Sequence, residues 1–164
     1  MPDHYGTLAD ALTYHEARGN AAWAAATDPL RLAALVRAST ALDALYGSRY
    51  PGAVSSADQE LLWPRTGATY RGNIVPDDVA PLPIIRATYE LALRELVAPN
   101  SVMPDVDPAK AVKRKKVKAG PAETETEFAD GVGAPKQFAF VDGILAFLLI
   151  ALPGGTSVTT LARF

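Results

Sequence analysis

The chain has 164 residues, a formal net charge of −2 at pH 7 and no cysteine. This charge balance provides no overall positive field for nucleic acid, and a chain without thiols has no disulfides and no zinc–thiolate site. The length predicts one domain, or one domain with arms, built on a core of modest size. The first residues lack the features of a signal peptide, and the longest apolar run, residues 138–152, is shorter than the roughly 20 residues of a membrane span. We therefore expect a cytosolic product or a virion component that does not bind a membrane.

The first 26 residues predict two short helices. Thr7 and Asp10 have the spacing of a capping box at a helix start, with aspartate where glutamate or glutamine is usual. Gly19 stands where a glycine commonly ends a helix. The alanine-rich residues 21–26 favour another turn of helix, which would carry Trp23.

Two longer helices are predicted further along. Asp28 and Pro29 indicate a helix start, and Gly47 indicates its end. Apolar residues recur at helical spacing between them: Leu32, Leu35, Val36, Leu42, Leu45 and Tyr46. Residues 83–97 form the second helix, whose apolar face carries Ile85, Tyr89, Ala92 and Leu96. Residues 56–63 are expected to form a short helix, and residues 70–80 a loop with Arg71-Gly72-Asn73 at its tip.

Residues 61–67, Leu-Leu-Trp-Pro-Arg-Thr-Gly, lie between the two longer helices. Proline fixes its own φ and disfavours the helical conformation for the residue before it, so the Trp-Pro pair is stiff. A threonine and a glycine then favour a turn. The stretch contains no base, nucleophile or metal ligand, and we interpret it as a core anchor. The structural anchors expected on this basis are Trp23, Trp63, Pro64 and Arg65.

A charged β-hairpin is predicted after a proline-containing linker. Pro99, Pro104 and Pro108 mark the linker. Folding the chain about residues 119–122 aligns residues of opposite charge on one face, because strand side chains alternate with a period of two. The aligned pairs are Lys118 with Glu123, Lys116 with Glu125, and Arg114 with Glu127.

The same hairpin contains the candidate nucleic-acid segment of the sequence. Phosphate binding needs clustered cations, and the cluster consists of Lys113, Arg114, Lys115, Lys116 and Lys118. No aromatic residue is interleaved for base stacking. The cations therefore either pair with the glutamates or with a neighbouring subunit, or line a channel through which DNA passes.

The fold class predicted from these patterns is mainly α. Residues 1–97 form a small helical bundle core, and residues 98–136 form a linker and an extended arm with the charged hairpin. Residues 137–164 form a C-terminal apolar helix and a tail, and the apolar helix, over about 138–152, is expected to be buried. With only two histidines and no phosphate-binding glycine loop, we expect no enzyme, no metal site and no cofactor.

Two motifs carry a resemblance to a known family. Residues 14–23, Tyr-His-Glu-Ala-Arg-Gly-Asn-Ala-Ala-Trp, and the later Trp-Pro-Arg-Thr-Gly turn resemble those of small tailed-phage proteins encoded beside portal and capsid genes. The resemblance covers residues 5–97 well and the rest loosely. Such proteins look like head–tail connectors, or adaptors, and the same family is also described as DnaT-like single-stranded-DNA-binding proteins.

The resemblance implies a structural virion protein at the head–tail interface, or neck, made in the cytoplasm of a bacterial host. It implies a dodecameric ring that joins the portal to a downstream neck or stopper protein and encloses DNA without reading its sequence. We expect the tail to dock on the portal through Leu161, Arg163 and Phe164. The alternative is a replication accessory protein that binds single-stranded DNA, and a third possibility is a helical interaction module without a virion role.

Overall fold

The structure, a computed structural model, describes residues 3–104, 115–119, 122–126 and 137–151, with the backbone alone for the two middle ranges. Its helices are α1 (Leu8–Glu16), α2 (Ala21–Ala25), α3 (Asp28–Tyr46), α4 (Leu82–Val97) and α5 (Ala139–Leu145), and a 3-10 turn, Gly47–Arg49, follows α3. Its strands are β1 (Ala53–Val54), β2 (Arg65–Thr66), β3 (Thr69–Tyr70), β4 (Asn73–Ile74), β5 (Lys115–Ala119) and β6 (Ala122–Thr126). The strands form three two-stranded antiparallel sheets, in which β1 pairs with β2, β3 with β4, and β5 with β6. A helical body contains the described residues up to Val102 and from Phe138 onward, and the residues between form a second unit.

The core of the helical body lies between α3 and α4, its two longest helices. Leu35 and Leu42 of α3 and Ile84 and Leu91 of α4 are fully buried, and each such side chain stabilises the fold by roughly 1.5–3 kcal/mol. The predicted mainly α fold with a helical core is therefore confirmed. Leu32, which the spacing assigned to the apolar face, is 39% exposed, and the buried residues of α3 begin two positions later, at Ala34.

The helix ends follow the sequence signals with two differences. The Thr7 hydroxyl accepts the Asp10 backbone N–H at 3.1 Å, as predicted, but the Thr7 N–H donates to the Tyr89 hydroxyl instead of to the Asp10 carboxylate. Gly19, with φ +67°, follows the end of α1. The N-cap residue of α3 is Thr27 instead of Asp28, which is the first helical residue.

The helix expected over residues 56–63 is wrong, since these residues form turns. The reason is the Gln59 side chain, which replaces helical hydrogen bonds. Its amide nitrogen donates to the carbonyls of Leu61 at 2.6 Å and Pro64 at 3.1 Å, and its oxygen accepts the Ser56 N–H at 2.9 Å. Local side-chain bonds of this kind compete directly with helix formation.

Trp63 is held in the core by a hydrogen-bond network that begins on α3. Trp63 is 2% exposed, and its peptide bond to Pro64 is cis. The Asp43 carboxylate accepts the Leu62 N–H and the Tyr5 hydroxyl, each at 2.8 Å, and the Tyr5 oxygen accepts the Trp63 N–H at 3.1 Å. Burial raises the pKa of the Tyr5 hydroxyl, so the phenol stays protonated and donates to the carboxylate.

The C-terminal segment differs from the buried helix expected over residues 138–152. Helix α5 ends at Leu145, and residues 146–148 form a turn. Val141, Leu145 and Leu148 are buried, whereas Phe140 and Ile150 are 55% and 52% exposed. The body offers this segment one surface, so a run that is apolar all round cannot be buried on every side.

The second unit contains the predicted hairpin. Its backbone register places Lys118 opposite Glu123 and Lys116 opposite Glu125, as the charge pattern predicted. Arg114 and Glu127, the third predicted pair, lie outside the described residues, as does Lys113.

His15 lies in an aromatic cluster at the end of α1. Its side chain is fully buried, and its ring centroid lies 4.3 Å from that of Trp23 and 5.3 Å from that of Tyr14. The Asn20 amide nitrogen lies 2.9 Å from its Nδ1. Burial lowers the pKa of His15 from 6.5 to about 4, so the imidazole is neutral at pH 7.

Stability should therefore fall on acidification. Between pH 6.5 and about 4 the unfolded chain binds a proton at His15 that the folded chain does not bind, so the free energy of unfolding should decrease by up to about 3 kcal/mol. The measurement is urea denaturation at several pH values for the unaltered chain and for His15→Gln. The glutamine variant should lose distinctly less stability across this range, and equal losses in the two proteins would contradict the assignment.

Candidate nucleic-acid interface

An arginine stands in a left-handed conformation at the tip of the β3–β4 hairpin. Thr69 pairs with Ile74 and Tyr70 with Asn73, which leaves Arg71 and Gly72 as the two central residues of the turn. Both have positive φ, +51° and +80°, as in the two-residue turns that suit right-twisted hairpins. Glycine or asparagine is usual at such positions, since the left-handed conformation costs other residues about 1–2 kcal/mol. The turn therefore holds an exposed cation at some cost in stability.

The Arg71 guanidinium contacts two aromatic rings. Its central carbon lies 5.1 Å from the centroid of the Tyr70 ring and 5.3 Å from that of the Phe147 ring, within cation–π range. Phe147 is 69% exposed. A cation and two aromatic faces from separate parts of the chain thus meet at one point on the surface.

Phe147 is positioned by the contacts of α5 with the rest of the body. The Tyr46 hydroxyl of α3 donates to Asp142 Oδ1 at 2.7 Å. Beyond the turn that carries Phe147, the Ile150 N–H donates to the Arg49 carbonyl at 2.9 Å. These bonds, together with the buried face of α5, fix the segment and leave the Phe147 ring at the surface.

The three aromatic and cationic side chains border a pocket of about 150 Å³ between the hairpin tip, the first turns of α4 and α5. It is lined by Tyr70, Arg71, Leu82, Pro83, Arg86, Gly143, Ile144 and Phe147. Arg86 of α4 supplies a second exposed cation. Within the described ranges neither guanidinium forms an ion pair, and no acidic residue lines the pocket. A Cβ added at Gly143 would meet no atom within 4 Å, so the wall is open there.

Unpaired cations beside an exposed ring suit nucleic acid. Guanidinium groups bind phosphate, and aromatic faces stack on the bases of single strands, which present them unpaired. The residues that carry this chemistry, Tyr70, Arg71, Arg86 and Phe147, were not among the candidates from the sequence. The loop tip at Arg71 was the available signal, whereas Phe147 belonged to a run expected to be buried.

Of the anchors expected from the sequence, Trp23, Trp63 and Arg65 are buried, and Pro64 is half-buried. Trp23 is fully buried, and Arg65 is 9% exposed. The Arg65 guanidinium donates to the carbonyls of Pro51 and Gly52, each at 2.7 Å, and of Leu62 at 3.3 Å. These bonds fix the loop that precedes the β3–β4 hairpin, so this arginine has a structural role. The candidate portal-binding residues Leu161, Arg163 and Phe164 lie outside the described residues.

The described part of the chain contains no group of three or more histidine, aspartate or glutamate side chains that could hold a metal ion. None of its helices combines the length and apolar character required to cross a membrane.

Comparison with known proteins places the chain in a described family. A family model described as "Putative DnaT-like ssDNA binding protein" matches residues 2–163, nearly the whole chain. Neither the curated proteins nor the solved structures contain a significant match.

The left-handed conformation of Arg71 predicts a difference between two variants that both remove the guanidinium. Arg71→Asn should be more stable than Arg71→Val by about 1–2 kcal/mol, because asparagine tolerates positive φ and a β-branched residue does not. Chemical denaturation of the two purified proteins measures the difference. Equal free energies of unfolding would mean that this turn does not require a left-handed residue.

Proposed function

Because the chain belongs to the DnaT-like single-stranded-DNA-binding family, we propose that it binds single-stranded DNA without sequence preference. The observation that carries the proposal is the surface formed by Arg71, Arg86 and Phe147, which combines unpaired cations with an exposed ring. Stacking of a base on an aromatic side chain contributes about 1–3 kcal/mol and tolerates any base. Phosphate contacts add an electrostatic contribution to the binding free energy, and this contribution decreases as salt is added.

Local charge, not net charge, has to attract the DNA. The chain carries a net charge of −2, so long-range attraction is weak and the cations must act where they cluster. The charged hairpin offers further cations, although Lys116 and Lys118 stand opposite glutamates in its register. We therefore expect micromolar affinity and a modest number of phosphate contacts.

The test is a titration of a fluorescently labelled oligothymidylate with the full chain at stepped salt concentrations. The affinity should be micromolar at about 50 mM salt, and a plot of log affinity against log salt should have a slope between about −1 and −3. A duplex of the same length, whose bases are already stacked, should bind more weakly. Absence of binding at low salt, or equal affinity for single strand and duplex, would contradict the proposal.

A second candidate function is a phage head–tail adaptor, and the observation that favours it is exposed apolar surface. Phe140 and Ile150 of the C-terminal segment and Leu30 of α3 are each more than half exposed. Apolar surface of this kind commonly marks contacts with other chains. In a ring the contacts between neighbouring subunits are heterologous, so two different surfaces of each subunit are covered.

On this second proposal, copies of the chain form a dodecameric ring between the portal and a stopper protein, in the neck of the virion. The tail residues Leu161, Arg163 and Phe164 dock on the portal, and DNA passes through the ring. Binding of DNA by its backbone and bases, without sequence preference, is compatible with this arrangement.

The adaptor proposal predicts that the chain is part of the virion. Quantitative mass spectrometry of purified particles should find it at a fixed ratio near one to one with the portal protein, unchanged across density-gradient fractions. Its absence from particles, while it is abundant in infected cells, would rule out the adaptor and leave the DNA-binding proposal alone.

A further inference from the structure

The pocket beside the β3–β4 hairpin has the features of a site for one nucleotide. Its lining combines apolar and aromatic side chains, among them Leu82, Ile144 and Phe147, with the guanidinium groups of Arg71 and Arg86. A nucleotide has the complementary chemistry, since a flat base is joined to an anionic phosphate. Single strands present both groups together, whereas a duplex encloses its bases.

We propose that this pocket binds one nucleotide of single-stranded DNA, with the base stacked on Phe147 beside Arg71 and the phosphate bound by Arg86. The inference rests on the proposed function and adds the ligand unit, one nucleotide, and the part of it that each residue contacts. Bases stack on aromatic rings and on the planes of guanidinium groups, and Arg71 already lies 5.3 Å from the centroid of the Phe147 ring. Arg86 lines the same pocket from α4 and is exposed.

The strained position of Arg71 is consistent with a binding role. The turn would be more stable with glycine or asparagine, so packing alone does not account for an arginine there. Its contacts with Tyr70 and Phe147 orient the guanidinium before DNA arrives, which reduces the entropy lost on binding. The cost in stability is thus accompanied by a preorganised cation.

Gly143 allows the pocket to be altered without disturbing the core. A side chain added there starts in open space on the pocket wall. Gly143→Glu adds a negative charge to the wall of the pocket that Arg86 also lines, and Gly143→Gln is a neutral control of nearly the same size. The glutamate variant should bind oligothymidylate at least tenfold more weakly than the glutamine variant, and the difference should shrink as salt is added.

Two other variants separate stacking from charge. Phe147→Leu keeps an apolar side chain and removes the ring, so it should weaken binding to oligothymidylate about ten- to hundredfold. It should leave binding to an abasic strand of the same length unchanged. Arg86→Gln should weaken binding to both the oligothymidylate and the abasic strand. It should also reduce the magnitude of the slope of log affinity against log salt by about 0.7, the value for one lost phosphate contact on a single strand.

The controls distinguish this inference from the proposed function. Circular dichroism and thermal unfolding establish that each variant is folded, which is expected because Phe147 is 69% exposed. A fifth variant replaces Lys113, Arg114, Lys115 and Lys116 with glutamine. If this variant loses binding while Phe147→Leu and Gly143→Glu bind as the unaltered chain does, DNA binds at the hairpin arm, and the pocket inference is wrong while the function stands.

The remaining outcomes are equally decisive. If the unaltered chain binds neither strand, both the proposed function and the pocket inference fail. If Phe147→Leu weakens the oligothymidylate and the abasic strand equally, the ring does not stack on a base and the pocket binds phosphate only. That result would overturn the nucleotide assignment.

Discussion

The Asp43 carboxylate on α3 is the interaction on which the non-helical part of the body depends. It accepts the Tyr5 hydroxyl and the Leu62 N–H, so it joins the N-terminal segment and the Trp63 loop to the longest helix. Burial raises the pKa of this carboxyl, while the two donors oppose that effect. Charge-assisted hydrogen bonds of this kind are about twice as strong as neutral ones. Without them the Leu62 N–H would have no hydrogen-bond partner, and the Trp63 loop would not be attached to α3.

The last turns of α3 hold both sides of the proposed DNA site. Asp43 fixes the Trp63 loop, from which the chain continues through the Arg65 contacts to the β3–β4 hairpin. One turn later, the Tyr46 hydroxyl binds Asp142 of α5, and the Arg49 carbonyl accepts the Ile150 N–H. The three anchoring residues, Asp43, Tyr46 and Arg49, follow one another at intervals of three residues along the chain. Arg71 and Phe147 therefore meet because a single helix end positions the segments that carry them.

Patterns within one segment could be predicted from the sequence. The leucine spacing of α3, the Thr7 cap and the hairpin register follow from residues that are close along the chain. The apolar face of α4 was predicted only in part: Tyr89 and Ala92 are buried as expected, but Ile84 and Leu91 are buried where Ile85 and Leu96 were expected. The side chains that bridge distant segments could not be predicted. Glu95, for example, is 2% exposed and accepts hydrogen bonds from the Asn100 N–H and from Arg37 of α3. Nothing in its local sequence distinguishes it from a solvated glutamate.

The proposed DNA site could not be predicted for the same reason. Arg71 and Phe147 are separated by more than seventy residues along the sequence, and their contact depends on how far α5 is covered by the body. An apolar run indicates that burial is favourable, but the area available decides which residues remain exposed. In this segment, Phe140, Phe147 and Ile150 are the large apolar residues that remain exposed. One of them contributes to the proposed DNA site, and the other two suit contacts with further chains.

The proposed DNA site is best tested by nuclear magnetic resonance of the isotope-labelled full chain during titration with an oligothymidylate. The largest chemical-shift changes should occur at Arg71, Gly72, Gly143 and Phe147 and at the first turns of α4, and they should saturate together. Changes confined to residues 113–127, with these positions unaffected, would contradict the proposed site and assign DNA binding to the charged hairpin.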